Sequence, residues 1–238
     1  MHKIKSLIDS YNLNGFEIFD YISQSSYKQL KAFSLEWVCN LFAATGLELN
    51  DEKSIESYHL NQESNEKIHS DALRAKNRHQ IPPNQIKDIL INSNLKDFCY
   101  RLGIVDYTLW DEGLGWLAFR LIRPGFNDGY PFSKKDWGPG KGTISVWIPI
   151  VGFDPNQIIA FIPGSNIKEY EKFLPESSKF TPDEFRLKEK IFESDIYRPN
   201  ILPGQAIIFT PKTIHSEDIT EGNKTRLSLE FRIIPKYI

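Results

Sequence analysis

Residues Lys224 to Pro235 read KTRLSLEFRIIP. On an extended chain Leu227, Leu229 and Phe231 fall on one side and Arg226, Ser228, Glu230 and Arg232 on the other, because successive side chains of a strand point to opposite faces. Such a strand buries its apolar face and turns the polar one toward water or the lining of a cavity. Four more β-prone runs precede it: GWLAFRLIRPG from Gly115, GTISVWIPIVGF from Gly142, QIIAFIPGS from Gln157 and GQAIIFTP from Gly204. Glycine, proline or charged turns bound each run. Two are long apolar stretches, the pattern of strands buried on both faces. Five or more such strands after a helical segment predict an α+β fold: a double-sheet jelly roll with helices packed outside.

The helical segment is residues 1–105. In SSYKQLKAFSLEWVCNLFAATG, from Ser25, the residues Tyr27, Leu30, Phe33, Trp37, Leu41 and Phe42 recur at spacings of three and four, and Gly46 supplies a stop. That is an amphipathic helix lying against a core. Residues 51–80 are polar and lack apolar periodicity, so they read as exposed helix and loop, and His59, His69 and His79 within them read as solvated and not as metal ligands. PPNQIKDILINSNLKDFCYRLG, from Pro82, resumes helical spacing after two prolines suited to a helix start. Residues 106–238 carry the strands. Between the third and fourth runs, residues 166–200 are charged and poor in strand formers, which predicts a partly ordered, lid-like insertion over the mouth of the roll. The whole, 1–238, reads as a single domain.

Composition excludes several functions. Lysine plus arginine (29) nearly balances aspartate plus glutamate (31), and no basic stripe is interleaved with aromatics, so nucleic acid is not an expected partner. No stretch has eighteen consecutive apolar residues, and the start lacks the apolar run of a signal peptide. A soluble, cytoplasmic protein acting on a small molecule is expected, with no membrane partner. Cys39 and Cys99 lack CxxC spacing and read as reduced thiols in helices.

Chemistry concentrates near the C-terminus. In PGQAIIFTPKTIHSEDITEGNKTRLSLEFRI, from Pro203, a strand ends at His215, a polar hairpin follows, and the next strand starts at Arg226. This places His215 and Arg226 near one another on neighbouring strands. An imidazole can bind a divalent metal, and a guanidinium can hold a carboxylate through two parallel hydrogen bonds. Together they suit an acid bound to a metal; taken singly, they also read as a hydrogen-bonded histidine and a solvated arginine.

Four matches in order go further: RLIRPG with NDGYP, then KDW, then SVWIPI leading to FIPGSN, then PGQAIIFTPKTIHS with TRLSLEFR. This set, over about residues 105–235, resembles the phytanoyl-CoA dioxygenase-like family of non-haem iron, 2-oxoglutarate-dependent oxygenases, especially its bacterial polysaccharide and natural-product members. NGFEIFDYISQSSYKQLK, from Asn14, resembles that family's approach to its first helix. The resemblance implies a cupin-like double-stranded β-helix. It also implies Fe(II) held by two histidines and a carboxylate, with positions left for 2-oxoglutarate and oxygen. The distal histidine falls on His215, and the arginine that grips 2-oxoglutarate falls on Arg226. Trp147, on the polar side of its strand with Thr143 and Ser145, either faces the cosubstrate or fills the core.

The chain departs from the family at its H-x-D motif. One register places the carboxylate on Asp136 and puts Lys134 where the histidine belongs; the other uses Asp128 and puts Phe126 there. Asn166 replaces the histidine usual in the family's PGSH turn. A protonated Lys134 about 4 Å from a divalent cation would be repelled by roughly 8 kcal/mol at an effective dielectric of about 20. Neutralising it at pH 7 means lowering its pKa by more than about three units, or roughly 4.6 kcal/mol. Three arrangements follow: a neutral lysine ligand, an ammonium paired with Asp136 in the metal's place, or Lys134 turned outward with iron held by Asp136 and His215.

Two functions lead. The first is an oxygenase hydroxylating a small or sugar-like molecule with Fe(II) and 2-oxoglutarate. The second is a catalytically silent relative without iron that binds a ligand or partner, with Arg226 and Arg120, Arg123 or Lys134 reading an anion. A metal-free epimerase with His215 as base and Tyr130 as acid is a third, lesser alternative.

Overall fold

The computed structural model describes residues 2–61, 66–73, 79–80, 83–110, 116–126, 128, 132–135, 142–153, 155, 157–168, 172–173, 184–187, 193–217 and 222–237. Its helices are α1 (His2–Asn14), α2 (Gln24–Ala43), α3 (Glu52–Glu56), α4 (Glu66–Ala72), α5 (Asn84–Ile91) and α6 (Leu95–Arg101). Its strands are β1 (Phe16–Asp20), β2 (His79–Gln80), β3 (Ile104–Leu109), β4 (Leu117–Ile122), β5 (Ser133–Lys135), β6 (Ile144–Val151), β7 (Ala160–Phe161), β8 (Lys172–Phe173), β9 (Glu184–Leu187), β10 (Gln205–Phe209), β11 (His215–Ser216) and β12 (Arg226–Tyr237). Two antiparallel sheets result. The larger runs β1-β10-β6-β12-β4-β2, with β3 also on β12, and the smaller runs β7-β11-β5-β9-β8.

The alternation of β12 explains the layering. Leu227, Leu229, Phe231 and Ile233 join Phe119, Leu121, Val146, Ile148 and Ile208 against Leu30, Val38 and Phe42 of α2. Ser23 caps α2, accepting the Ser26 N–H at 3.1 Å, which satisfies one of the donors that a helix start leaves unpaired. A second apolar cluster fills the space between the sheets: Phe16, Trp147, Phe161, Ile207 and Phe209 among others. There the Phe16 and Phe161 rings stack at 4.4 Å. β6 is therefore buried throughout because it meets the helices on one face and the opposite sheet on the other.

Residues 1–105 are mainly helical among those described and also contribute β1, which closes one edge of the large sheet, pairing Phe16 with Phe209 and Asp20 with Gln205. Three expectations are corrected. Residues 51–80 are not simply exposed, since Ile55, Tyr58 and His69 are buried. The 166–200 segment is more than a cover, because β8 and β9 extend the small sheet and β9 pairs directly with β5. Finally, His215 and Arg226 do not lie on neighbouring strands. β11 pairs with β5 and β7, whereas β12 belongs to the other sheet. The chain therefore passes from one sheet to the other between β11 and β12, which strand periodicity cannot reveal.

Candidate active site

His215 is held from three sides. Its strand pairs with β7 at Phe161 and with β5 at Ser133, and its buried ring lies 4.8 Å from Phe209 and 6.2 Å from Phe161. Nδ1 is 2.7 Å from the Thr213 carbonyl. A carbonyl can only accept, so Nδ1 carries a proton, and in the neutral ring the lone pair then sits on Nε2. Thr213 is fixed in turn, its hydroxyl donating to the Gly15 carbonyl at 2.9 Å. A Cβ on Gly15 would collide with Thr213 Oγ1, and Gly15 has a φ of +81°, so glycine is required by space and conformation together. The PGSN turn completes the frame: Ser165 Oγ accepts the Ile214 N–H at 2.8 Å, and Asn166 donates to the Asn12 carbonyl at 2.8 Å.

Arg226 approaches from the large sheet and is wholly buried. Nη1 donates to the Gln157 carbonyl at 2.8 Å and Nη2 to the Glu217 carbonyl at 3.2 Å. Its guanidinium carbon stands 5.5 Å from the centre of the Trp147 ring. Trp147 is fully buried in the apolar cluster between the sheets, and its indole N–H has no hydrogen-bond partner among the described residues. The path from His215 to Arg226 thus runs through Phe209, Phe161 and Trp147 within one packed layer.

Asp136 and Tyr130 lie outside the described residues. Of Lys134 the structure describes the backbone: it is opposite Phe185 of β9, one step from Ser133, the register partner of His215. Among the described residues no group of three or more His, Cys, Asp or Glu is placed to hold a metal.

The second register has another use. Asp128 Oδ2 accepts from the Arg123 backbone N–H at 2.9 Å and from Nε at 2.7 Å, while Oδ1 accepts from Nη2 at 2.7 Å. Phe126 lies under that guanidinium at 4.0 Å. Arg123 is therefore engaged with Asp128. The His69 Nε2 lies 3.3 Å from Asp128 Oδ1, and its ring stacks on Tyr58 at 5.7 Å. Burial holds the His69 pKa down at about 4; Asp128 pulls it upward and Arg123 presses it further down.

Arg120 is similarly engaged. On the inner face of β4, opposite Ser228, it donates from Nε to Glu230 Oε2 at 3.2 Å, and that Nε lies 3.7 Å from Glu217 Oε2. Glu217 and Glu230, both buried, were not among the residues singled out from sequence. The signal was there: Glu217 stands two residues after His215, and Glu230 belongs to the polar face of β12. A groove of about 680 Å³ beside α2, lined by Leu35, Cys39, Asn40, Glu48 and Asp51, includes none of these residues. Cys39 and Cys99 are free thiols.

No sequence-family model matches the chain, and no curated protein matches it. Solved structures do. The non-heme monooxygenase ThoJ superposes with a TM-score of 0.62 at 12% identity, over 96% of this chain and 77% of that one. The epimerase SnoN, solved with Fe3+, alpha ketoglutarate and nogalamycin RO, gives 0.52 at 11% identity, over 98% and 84%. The non-heme alpha ketoglutarate dependent carbocyclase SnoK from nogalamycin biosynthesis gives 0.52 at 11%, over 98% and 85%. The chain shares its fold with these non-heme enzymes. Among the described residues no helix is long and apolar enough to cross a membrane.

Proposed function

We propose that this chain is a non-haem iron, 2-oxoglutarate-dependent oxygenase of the phytanoyl-CoA dioxygenase-like kind, acting in the cytoplasm on a small or sugar-like molecule. In this reading residues 1–238 form one domain, a double-stranded β-helix wrapped by helices. The observation that carries it is the 2.7 Å hydrogen bond from His215 Nδ1 to the Thr213 carbonyl. With Nδ1 so engaged, Nε2 of the neutral ring is the nitrogen a metal would take, and the carbonyl fixes the ring as outer partners of metal-bound histidines do. His215 therefore fits the group. Asp136 would be its carboxylate partner, and Arg226, backed by Trp147, would orient the far carboxylate of 2-oxoglutarate. Iron and 2-oxoglutarate would supply the oxidising power for inserting oxygen into a C–H bond. The chain orients the cosubstrate and keeps water out through the aromatic layer of Phe161, Phe209 and Trp147.

The test is ferrous iron binding by the purified protein, with succinate formation that depends on both iron and 2-oxoglutarate. Failure to bind a divalent metal with 2-oxoglutarate present sinks the oxygenase reading.

A specific observation favours a second reading, the silent relative. Both Arg226 Nη groups donate to main-chain carbonyls, and in the register that uses Asp136 the sequence resemblance would put Lys134 in place of the histidine. In that case Lys134→His would create iron binding that the native chain lacks.

A further inference from the structure

The sheets bring three buried charges together beside His215. Glu217 descends from the end of β11 onto Arg120 of β4, which is bonded to Glu230 of β12. Arg120 opposes Ser228 and Glu230 opposes Trp147 in register, so the three occupy one continuous inner patch next to the proposed cosubstrate arginine. Glu217 is only 3% exposed. Its Oε2 lies 3.7 Å from Arg120 Nε, beyond a hydrogen bond, and has no hydrogen-bond partner among the described residues. A buried carboxylate oxygen left this way is costly unless a donor satisfies it. Glu217 follows His215 by two residues, and its main-chain carbonyl accepts from Arg226 Nη2 at 3.2 Å, so it stands between the candidate ligand and the proposed cosubstrate arginine.

We propose that Glu217 is the substrate-reading residue of the proposed active site: its Oε2 accepts a hydrogen bond from a hydroxyl or ammonium group of the substrate and repels a carboxylate at that end. The proposal rests on the oxygenase reading of the site around His215 and Arg226 and deepens it by naming the chemistry admitted. An ionised carboxylate is an acceptor only, so the complementary group must donate. Glu217 and Glu230 both face Arg120, so an incoming anion meets two carboxylates around one guanidinium.

The experiment uses the intact protein without iron, in excess 2-oxoglutarate so that the proposed Arg226 position is filled, and three probes on one sugar ring: methyl glucoside, glucosamine and glucuronate, titrated by ligand-observed NMR. The wild type should bind methyl glucoside or glucosamine at least about tenfold more tightly than glucuronate, and which of the two leads tells hydroxyl from ammonium. Glu217→Ala should abolish that preference. Glu217→Gln keeps the shape beside Arg120 and should narrow it if the Ala variant does not fold. Equal or tighter binding of glucuronate, an unchanged preference in Glu217→Gln, or no binding of any probe overturns the proposal. Because no metal is present, these outcomes are read separately from iron-dependent succinate formation.

Discussion

The His215 imidazole donates from Nδ1 to the carbonyl of Thr213, two residues back, at 2.7 Å. The bond sets the orientation of the ring, and the anchoring of Thr213 on Gly15 sets its position. Replacing His215 with alanine should remove ferrous iron binding and iron-dependent succinate formation while leaving the fold intact. Thr213→Val should be milder: the backbone carbonyl stays, but the loss of the hydroxyl bond to Gly15 should cost about 1 kcal/mol and weaken iron binding. Metal titration beside urea unfolding separates the two variants.

The parts of the molecule that were readable in the sequence are those where burial imposes a period. Leu227, Leu229 and Phe231 alternate with Arg226, Ser228 and Glu230 because one face of β12 meets helices and the other lines the interior; β6 lacks alternation because both its faces are covered. What escaped was set by tertiary pairing. β9 is EFRL within a charged segment, and its strand character comes from lying beside β5. His69 sits among polar residues, yet is buried against Tyr58 and against Asp128, a residue far along the chain. The assignment of His215 and Arg226 to different sheets depends on strand pairing, β11 with β5 and β7 and β12 with β3, β4 and β6, which residue types do not encode.

Arg123 and Asp128 form a bidentate pair with both side chains almost completely buried, 0% and 3% exposed. Removing one partner leaves an uncompensated buried charge, which costs about 3–5 kcal/mol. Asp128→Ala should therefore lower the urea midpoint sharply. Arg123→Ala combined with Asp128→Ala should be less damaging than the sum of the two, and a double-mutant cycle measures that difference. Additive losses would contradict the pairing.

His69 should make stability fall toward acid. Its folded pKa is lowered to about 4, by burial foremost, against about 6.5 in an unfolded chain. Above pH 6.5 the ring is neutral in both states, and it contributes nothing to the pH slope. As pH falls from 6.5 to 4 the unfolded chain takes up a proton that the folded chain refuses, so up to about 3 kcal/mol of stability is lost. The groups facing the ring are Asp128, Arg123 and Tyr58. His69→Phe keeps the stacking and cannot titrate, so its unfolding free energy should vary less between pH 7 and 4.5 than that of the wild type. An identical slope would show that other groups govern the acid limb.

Arg226 is delivered by a joint outside the sheets, and this joint makes the last prediction. The Glu56 carbonyl accepts the Thr225 N–H at 2.7 Å, its carboxylate accepts the Gly152 N–H at 3.2 Å, and Lys224 reaches the same carboxylate at 3.0 Å. Thr225 Oγ1 also takes the His59 N–H at 3.1 Å. Residues from α3 and the turn after it thus fix the backbone immediately before Arg226. Gly152 is part of the fit: its φ is +68°, and a Cβ there would strike the Thr225 carbonyl. Glu56→Ala removes the carboxylate but not the backbone bond, so it should cost about 1–2 kcal/mol and loosen Arg226 without displacing it. If Arg226 orients 2-oxoglutarate, the variant should raise KM for 2-oxoglutarate several-fold while ferrous iron affinity stays unchanged. Gly152→Ala should be worse on both counts, because strain and collision act on the same carbonyl. A Glu56→Ala variant with an unchanged KM would detach the joint from the cosubstrate site and leave it a purely structural clamp.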